Sequence, residues 1–284
     1  AATEMASEFL NKGKLIVYTK GLHEPRADYF ATDSGLFKNG KLAVLIDEYS
    51  ASASEILAGA LQDFDRAVIV GRRSFGKGLV QQQFGFDDGS AVNLTVARYY
   101  TPSGRSIQKS YKGGIESYRN ELAARMQKGE LFSAQNYQTD SSFKKATAYH
   151  TSGGRKVFSG WGIMPDVFVP ADTTGNTMLI QDLGNQQLFN AFVIDKMQGI
   201  LNRFVTDDQF LKDYNVSNNQ FDDFILYASK TIKEMDSNEV RLSKDNIKLL
   251  VKAFAARFKW GDTAYFQVLN SNDTTLKKAI AAIN

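Results

Sequence analysis

The chain has 284 residues, of which 43% are hydrophobic and 23% are charged, a composition that is ordinary for a globular protein. Its net charge of +3 is too small to favour nucleic acid or an anionic membrane as a partner. The chain has no cysteine, which excludes disulfides, thiol catalysis and cysteine-bound metals. No apolar run approaches the roughly 18 residues of a membrane-spanning helix.

The first part of the chain alternates short apolar runs with polar loops, a pattern that is typical of an α/β fold. Helical spacing predicts a helix within residues 1–12, and apolar runs predict strands at 15–18, 42–46 and 67–70. Between the last two strands, a helix is predicted to begin near Ser52. This stretch therefore has the order strand, tight turn, helix, strand.

A glycine-rich loop follows the strand at 67–70. It spans residues 71–78 and carries Lys77 among three glycines. Residues 79–86 and 91–100 flank an Asp-Gly step, which predicts a β-hairpin. We name residues 71–78 the lysine loop.

Ser52 has two interpretations. Ser52-Ala-Ser-Glu55 fits a capping box, in which the serine caps the helix and the glutamate reaches back, and capping is the more common use of such a serine. Alternatively, Ser52 is a nucleophile at a strand-to-helix turn, where the free N–H groups of the helix favour developing negative charge. No histidine lies nearby in sequence to serve as its base.

Lys77 is the candidate base for Ser52. Most loop lysines face water and stay charged. Burial penalises an ammonium and favours the neutral amine, which can accept a proton. If Lys77 acts as the base, we expect it to lie in a dry pocket beside Ser52.

Two other motifs overlap the lysine loop. It is one position away from a P-loop, but Gly78 stands where a P-loop needs Ser or Thr, and a strand is predicted to follow. Ser74-Phe-Gly-Lys77 matches the Ser-x-x-Lys motif of penicillin-binding proteins, which works on one face of a helix. The glycines beside Lys77 argue against a helix.

Several separate motifs of this chain, in the same order, resemble the C-terminal processing proteases, also called tail-specific proteases. The motifs are Ser50-Ala-Ser-Ala-Ser-Glu55, Ser74-Phe-Gly-Lys-Gly-Leu-Val-Gln81, Ala97-Arg-Tyr-Tyr-Thr-Pro-Ser-Gly-Arg-Ser-Ile-Gln108 and Gly162-Ile-Met-Pro-Asp-Val167. The resemblance covers roughly residues 1–170. It implies a crotonase-like α/β core of ββα units and the activity of a serine endopeptidase.

The resemblance assigns roles to four residues. It implies that Ser52 is the nucleophile, Lys77 the base, and Gln81 a support for the lysine, and that the Ala53 amide is one oxyanion donor. Such a backbone donor is worth about 3 to 4 kcal/mol of the barrier. No cofactor and no metal is expected, and the alternative is a non-catalytic peptide-binding relative of the same fold.

The sequence predicts two domains. Residues 1–172 would form the protease core, including a polar excursion at 109–152 with a helix near 116–127 and no catalytic content. Residues 173–284 are mostly helical in pattern and would form a C-terminal subdomain, whose aromatic faces are expected to pack internally or to form a homodimer interface.

Further expectations follow from the resemblance. Family members usually carry an upstream PDZ domain and a Gly-Gly segment that supplies the second oxyanion donor. Neither is found in this sequence, so we expect a core that is truncated at its N-terminus, with limited activity on its own. The substrates would be proteins or peptides bound in an extended conformation. The location would be the bacterial periplasm or cell envelope.

Overall fold

The computed structural model describes residues 1–138, 143 and 145–284. Within that part of the chain, contacts define two compact units, one of residues 1–171 with 274–284 and one of residues 172–273. The first unit contains strands and helices, and the second is helical, so the predicted α/β core with a following helical region is confirmed. Part of the predicted excursion at 109–152 falls on residues outside those described.

The strands described in the first unit form three sheets. Their bounds are Leu15–Lys20 (β1), Ala27–Phe30 (β2), Ala43–Ile46 (β3), Val68–Gly71 (β4), Leu79–Gly85 (β5), Ala91–Tyr100 (β6), Ala148–His150 (β7), Lys156–Phe158 (β8) and Val167–Phe168 (β9). One sheet is antiparallel with the order β2-β1-β6-β5, one is parallel with the order β3-β4-β9, and β7 pairs with β8.

The helices are mostly short. Those whose bounds lie among the described residues of the first unit are Ala2–Ser7 (α1), Ala53–Asp63 (α2), Gly114–Arg119 (α3), Glu121–Gln127 (α4) and Ala134–Gln138 (α5). The second unit has Met178–Asn185 (α6), Leu188–Phe192 (α7), the π-helix Val193–Met197, Gln198–Leu201 (α8), Asp207–Asp213 (α9), Asn218–Ala228 (α10), Ser237–Leu242 (α11), Lys244–Trp260 (α12) and Asp262–Asn270 (α13). The last helix is Thr274–Ile283 (α14). None of these helices combines the length and apolar character needed to cross a membrane.

Helix α2 links the parallel strands β3 and β4, because parallel neighbours need a crossover connection. Its apolar residues enter the main core of the first unit, where Leu61 is fully buried together with Ile69 of β4. The strands and helix that carry the candidate residues are therefore anchored in one apolar core.

The predicted hairpin at 79–100 is confirmed. Strands β5 and β6 are antiparallel, and the turn between them closes with a hydrogen bond of 2.8 Å from Phe86 N to Ser90 O. Within the described part of the chain, strand β5 pairs on one side only, which makes it an edge strand of its sheet. The exposed edge formed by β5 therefore begins directly after the lysine loop.

The position of helix α14 differs from the sequence-based assignment. Residues 274–284 were predicted to belong to the helical subdomain, but they belong to the first unit. Ala279 of α14 is buried against Val70 and Val169, beside the parallel sheet. Strands of parallel sheets are usually covered on both faces, and α14 supplies cover that the local helical pattern could not reveal.

The second unit has an aromatic core. The ring of Phe189 stacks on Phe224 at 5.0 Å and on Phe254 at 5.4 Å between centroids. Phe210 and Phe224 are fully buried. This core confirms that the aromatic faces predicted from the sequence pack internally.

Candidate active site

The chain enters the candidate site through a tight turn after β3. The carboxylate of Asp47 accepts hydrogen bonds from the amides of Tyr49 and Ser50, at 3.0 and 2.9 Å, and from the Ser50 hydroxyl at 3.1 Å. This turn ends the strand and delivers Ser52 to the start of helix α2.

Ser52 is the N-cap residue of α2, as the capping interpretation predicted. Its backbone is unusual, with φ 56° and ψ −114°, whereas an N-cap normally has an extended backbone. Ser52 and Glu55 form a capping box, in which the Glu55 carboxylate accepts from the Ser52 amide at 2.9 Å, but the Ser52 hydroxyl makes no well-aligned hydrogen bond to a helix amide. A non-glycine residue in this region is strained, and such strain concentrates at functional sites.

Glu55 lies at the centre of the site. Its carboxylate is buried, and it accepts hydrogen bonds from the Gly76 amide at 2.7 Å and from the Ser74 hydroxyl. Its other oxygen accepts from the amides of Ser52 and Lys77. Burial raises the pKa of Glu55, although each of these hydrogen bonds lowers it.

A single oxygen of Glu55 brings the two candidate residues together. Oε2 lies 2.9 Å from the Ser52 nitrogen and 2.8 Å from the Lys77 nitrogen. The two nitrogens can therefore be no further apart than the sum of these distances. The backbones of the candidate nucleophile and base are neighbours, although 24 residues separate them in sequence.

The motif at residues 162–167 packs against the lysine loop. The Ser74 hydroxyl accepts from the Ile163 amide at 2.7 Å, and the Ser74 amide donates to the Ile163 carbonyl at 3.0 Å. Gly162 has φ 65°, and a Cβ there would lie 2.5 Å from the Ser74 hydroxyl and 2.9 Å from Glu55 Oε1. Glycine is needed at this position because the two segments meet so closely.

The expected burial of Lys77 is wrong: its side chain is exposed. The loop backbone is held by the bond from the Lys77 amide to Glu55, but the residue is exposed rather than part of the apolar core. The side chain of Gln81 is also exposed, and no hydrogen bond of the described residues joins it to Lys77. Ala53 is exposed at the first position of α2, where its amide has no acceptor within the helix.

Gln108 is a site residue that the sequence reasoning missed. It is buried, and its side-chain oxygen accepts from the Gly78 amide at 2.9 Å, next to Lys77. Its side-chain nitrogen donates to the Lys109 carbonyl at 2.9 Å. Gln108 closes the Ser-Ile-Gln step of a motif that resembles the family, and this was the available signal.

The structure does not support the two alternative motifs. A strand, β5, follows the lysine loop where a P-loop would begin a helix. Ser74 and Lys77 do not lie on a helix, and the hydroxyl of Ser74 is engaged with Glu55. The loop is therefore neither a phosphate cradle nor the helical Ser-x-x-Lys of penicillin-binding proteins.

Parts of the chain are similar to known protein families. Residues 1–117 match Peptidase family S41, and residues 179–261 match DUF8443, a family of unknown function. The carboxy-terminal-processing protease of Bartonella bacilliformis is 49% identical over 108 residues, which are 38% of this chain and 25% of that protein. The chloroplastic carboxyl-terminal-processing peptidase 1 of Arabidopsis thaliana is 39% identical over 121 residues, 42% of this chain and 24% of that protein.

A solved structure is also similar in part. The photosystem II D1 C-terminal processing protease aligns with 60% of this chain and 30% of its own, at 28% identity and a TM-score of 0.39. Residues 1–117 are thus similar to peptidase family S41, and the chain spans about a quarter of the length of the curated relatives that it matches.

Proposed function

We propose that the protein to which this chain belongs is a serine peptidase that cleaves C-terminal regions of protein substrates, with Ser52 as the nucleophile and Lys77 as its base. The S41 segment and the strained backbone of Ser52 support this assignment. The observation that carries it is the shared oxygen of Glu55, which binds the amides of both residues. A serine that only capped the helix would need neither a strained backbone nor a position beside the lysine loop.

The chemistry follows from the positions of these groups. Ser52 Oγ would attack the substrate carbonyl carbon while Lys77 Nζ takes the hydroxyl proton, and Lys77 would then give that proton to the leaving nitrogen. Water would hydrolyse the acyl-enzyme by the same two steps in turn. The Ala53 amide would donate to the oxyanion, which is worth about 3 to 4 kcal/mol.

The exposed amine of Lys77 must be desolvated before it can accept a proton. We infer that a bound substrate covers it and thereby favours the neutral form. Gln81 stands four residues further on, at the start of the hairpin, and would support the covered amine as a hydrogen-bond partner. In this proposal the lysine becomes a base only when the site is occupied.

The free edge of β5 is the candidate substrate track. It begins at Leu79, two residues after Lys77, and no strand among the described residues pairs with its outer backbone groups. An extended peptide can pair with such an edge through main-chain hydrogen bonds, which demand little of its sequence. By resemblance, we place this activity in the bacterial periplasm or cell envelope.

Cleavage of a denatured protein by the full-length protein tests the proposal. Ser52→Ala and Lys77→Ala should each abolish cleavage and leave thermal unfolding unchanged. Lys112→Ala, which removes an exposed lysine outside the site, serves as the control and should cleave as the parent does. A Ser52→Ala protein that cleaves as fast as the parent would exclude Ser52 as the nucleophile.

The exposure of Lys77 specifically favours one other function. A non-catalytic relative would use the same β5 edge to bind peptides and would need no desolvated amine. In that case the parent would bind an extended peptide without cleaving it, and Ser52→Ala would keep the same affinity. Binding and cleavage measured on the same peptide therefore distinguish the two functions.

A further inference from the structure

A network of charged side chains contacts the lysine loop at groups other than those that Glu55 binds. Arg73 binds Glu130 at 2.7 and 3.1 Å and Glu121 at 2.8 Å. Arg125 binds Glu130 at 3.0 Å, and Lys109 binds Glu121 at 3.0 Å. We name these five residues the charged brace; all except Glu121 are buried.

The charged brace touches the backbone of the lysine loop. The guanidinium of Arg125 donates to the carbonyl oxygens of Arg73 and Ser74, at 2.6 and 3.2 Å. The Lys109 amide donates to the Gly76 carbonyl at 3.0 Å. The ammonium of Lys109 lies 3.8 Å from the ring centroid of Phe75. Arg73 belongs to both the loop and the brace, and the next three loop residues, 74 to 76, each contact another brace member.

The charges of the brace are not balanced among themselves. Arg73, Lys109 and Arg125 supply three cations, whereas Glu121 and Glu130 supply two carboxylates. The loop provides the remaining partners: the carbonyl dipoles that face Arg125 and the aromatic face of Phe75 beneath Lys109. Moving the loop away would take these carbonyls from Arg125 and leave its buried guanidinium with too few partners, which is strongly unfavourable.

We propose that the charged brace fixes the backbone of the lysine loop and so positions Lys77 for reaction, a role that rests on the proposed function. Glu55 binds the loop amides of Gly76 and Lys77, and the brace binds loop carbonyls. No described contact joins the brace to the Lys77 amine, so its members are positioning residues rather than catalytic ones.

The brace also gives a role to the segment after residue 108. Glu121, Arg125 and Glu130 lie beyond residue 117, where the match to Peptidase family S41 ends. They come from helix α4 and the turn that follows it. The sequence analysis expected no catalytic content in residues 109–152. In this proposal, part of that segment holds the loop that carries Lys77.

The test compares Arg125→Met with Arg119→Met in the full-length protein. Arg119 is exposed on the neighbouring helix α3, so the same substitution there controls for the loss of one positive charge. The first readout is hydrogen exchange of the loop amides at residues 74–78, each of which donates a hydrogen bond in the parent. The second is the separate effect on kcat and KM.

Arg125→Met should accelerate exchange of the loop amides by about tenfold or more, while amides of helix α2 change little. It should lower kcat by about tenfold or more with KM within about twofold, because a small displacement of the base slows chemistry without weakening binding. Glu121→Gln, at the partly exposed end of the brace, should act in the same direction more weakly and serves if Arg125→Met does not fold.

Two results would overturn the proposal. Loop exchange and kcat could both match the Arg119→Met control, or α2 and the loop could lose protection equally, which would mean general destabilisation. If the parent itself cleaves nothing, the proposed function fails, but the exchange measurement still decides whether the brace holds the loop.

Discussion

The interiors of the two units differ in composition. Of the sixteen buried polar or charged side chains among the described residues, fifteen lie in the first unit and Ser243 alone lies in the second. The core of the second unit consists of aliphatic and aromatic residues. Its stability therefore depends on packing, whereas the first unit also buries groups whose only compensation is a specific hydrogen-bond partner.

The buried polar groups of the first unit mostly hold backbone. Glu55 and Gln108 bind amides of the lysine loop, and Arg125 binds its carbonyls. The carboxylate of Asp166, a side chain that is 21% exposed, similarly binds the Ile69 amide of β4 at 2.8 Å. An apolar side chain cannot satisfy a loop amide, so a site built on loops needs polar residues inside.

Glu55→Ala should give the largest effect, because it leaves four donors without their acceptor: the amides of Ser52, Gly76 and Lys77 and the hydroxyl of Ser74. We expect the free energy of unfolding to fall by about 5 kcal/mol. Urea denaturation of the chain measures it. Glu116→Ala, at an exposed glutamate, should change it by less than about 0.5 kcal/mol.

A loss similar to that of the Glu116 control would show that water satisfies the four donors of the Glu55→Ala protein. The buried polar groups of the first unit would then depend less on specific protein partners than their contacts indicate.

Phe224→Ala tests the apolar side of the comparison. Phe224 is fully buried, and its ring contacts Phe189 and Phe192. Its loss should cost about 4 kcal/mol, through the transfer term and the cavity that remains. Leu226→Ala on the same helix is the control, because Leu226 is 67% exposed and should contribute less than about 0.5 kcal/mol. Equal losses from both variants would contradict an apolar core centred on Phe224.

Local patterns predicted the elements that carry the site. Apolar runs identified β3 and β4, helical spacing identified α2, and the Asp-Gly step identified the hairpin of β5 and β6. The structure also places Ser52 at the start of α2, as predicted. These features depend on residues close together in sequence, and so periodicity and turn chemistry reveal them.

Long-range partners could not be predicted in this way. Glu55 had a local use as the second half of a capping box, and nothing in the sequence indicated that its carboxylate also binds Gly76 and Lys77. The pairing of Arg125 with carbonyls some fifty residues earlier has no sequence signal. The exposure of Lys77 was missed because flanking apolar strands do not determine which way a loop side chain turns.

Tyrosine titration gives the smallest expected effect and compares the units directly. Tyr118 in the first unit and Tyr214 in the second each have a pKa raised to about 12, mainly by burial. For Tyr118 a hydrogen bond with Tyr111 adds to the increase. Since an unfolded tyrosine titrates near pH 10, both groups add stability below about pH 10 that is lost as the pH rises towards 12.

Ultraviolet absorbance of tyrosinate in the folded protein measures this. Tyr118→Phe should remove one late-titrating group and Tyr214→Phe another, and the double variant should lose both. If Tyr118→Phe leaves the titration phase near pH 12 unchanged, the Tyr118 hydroxyl faces water and is not buried beside Gln108. The polar interior of the first unit would then not include Tyr118. The Lys109 ammonium also lies 4.4 Å from the centroid of the Tyr118 ring. The same titration therefore reports whether Tyr118 stays packed against Lys109 of the charged brace.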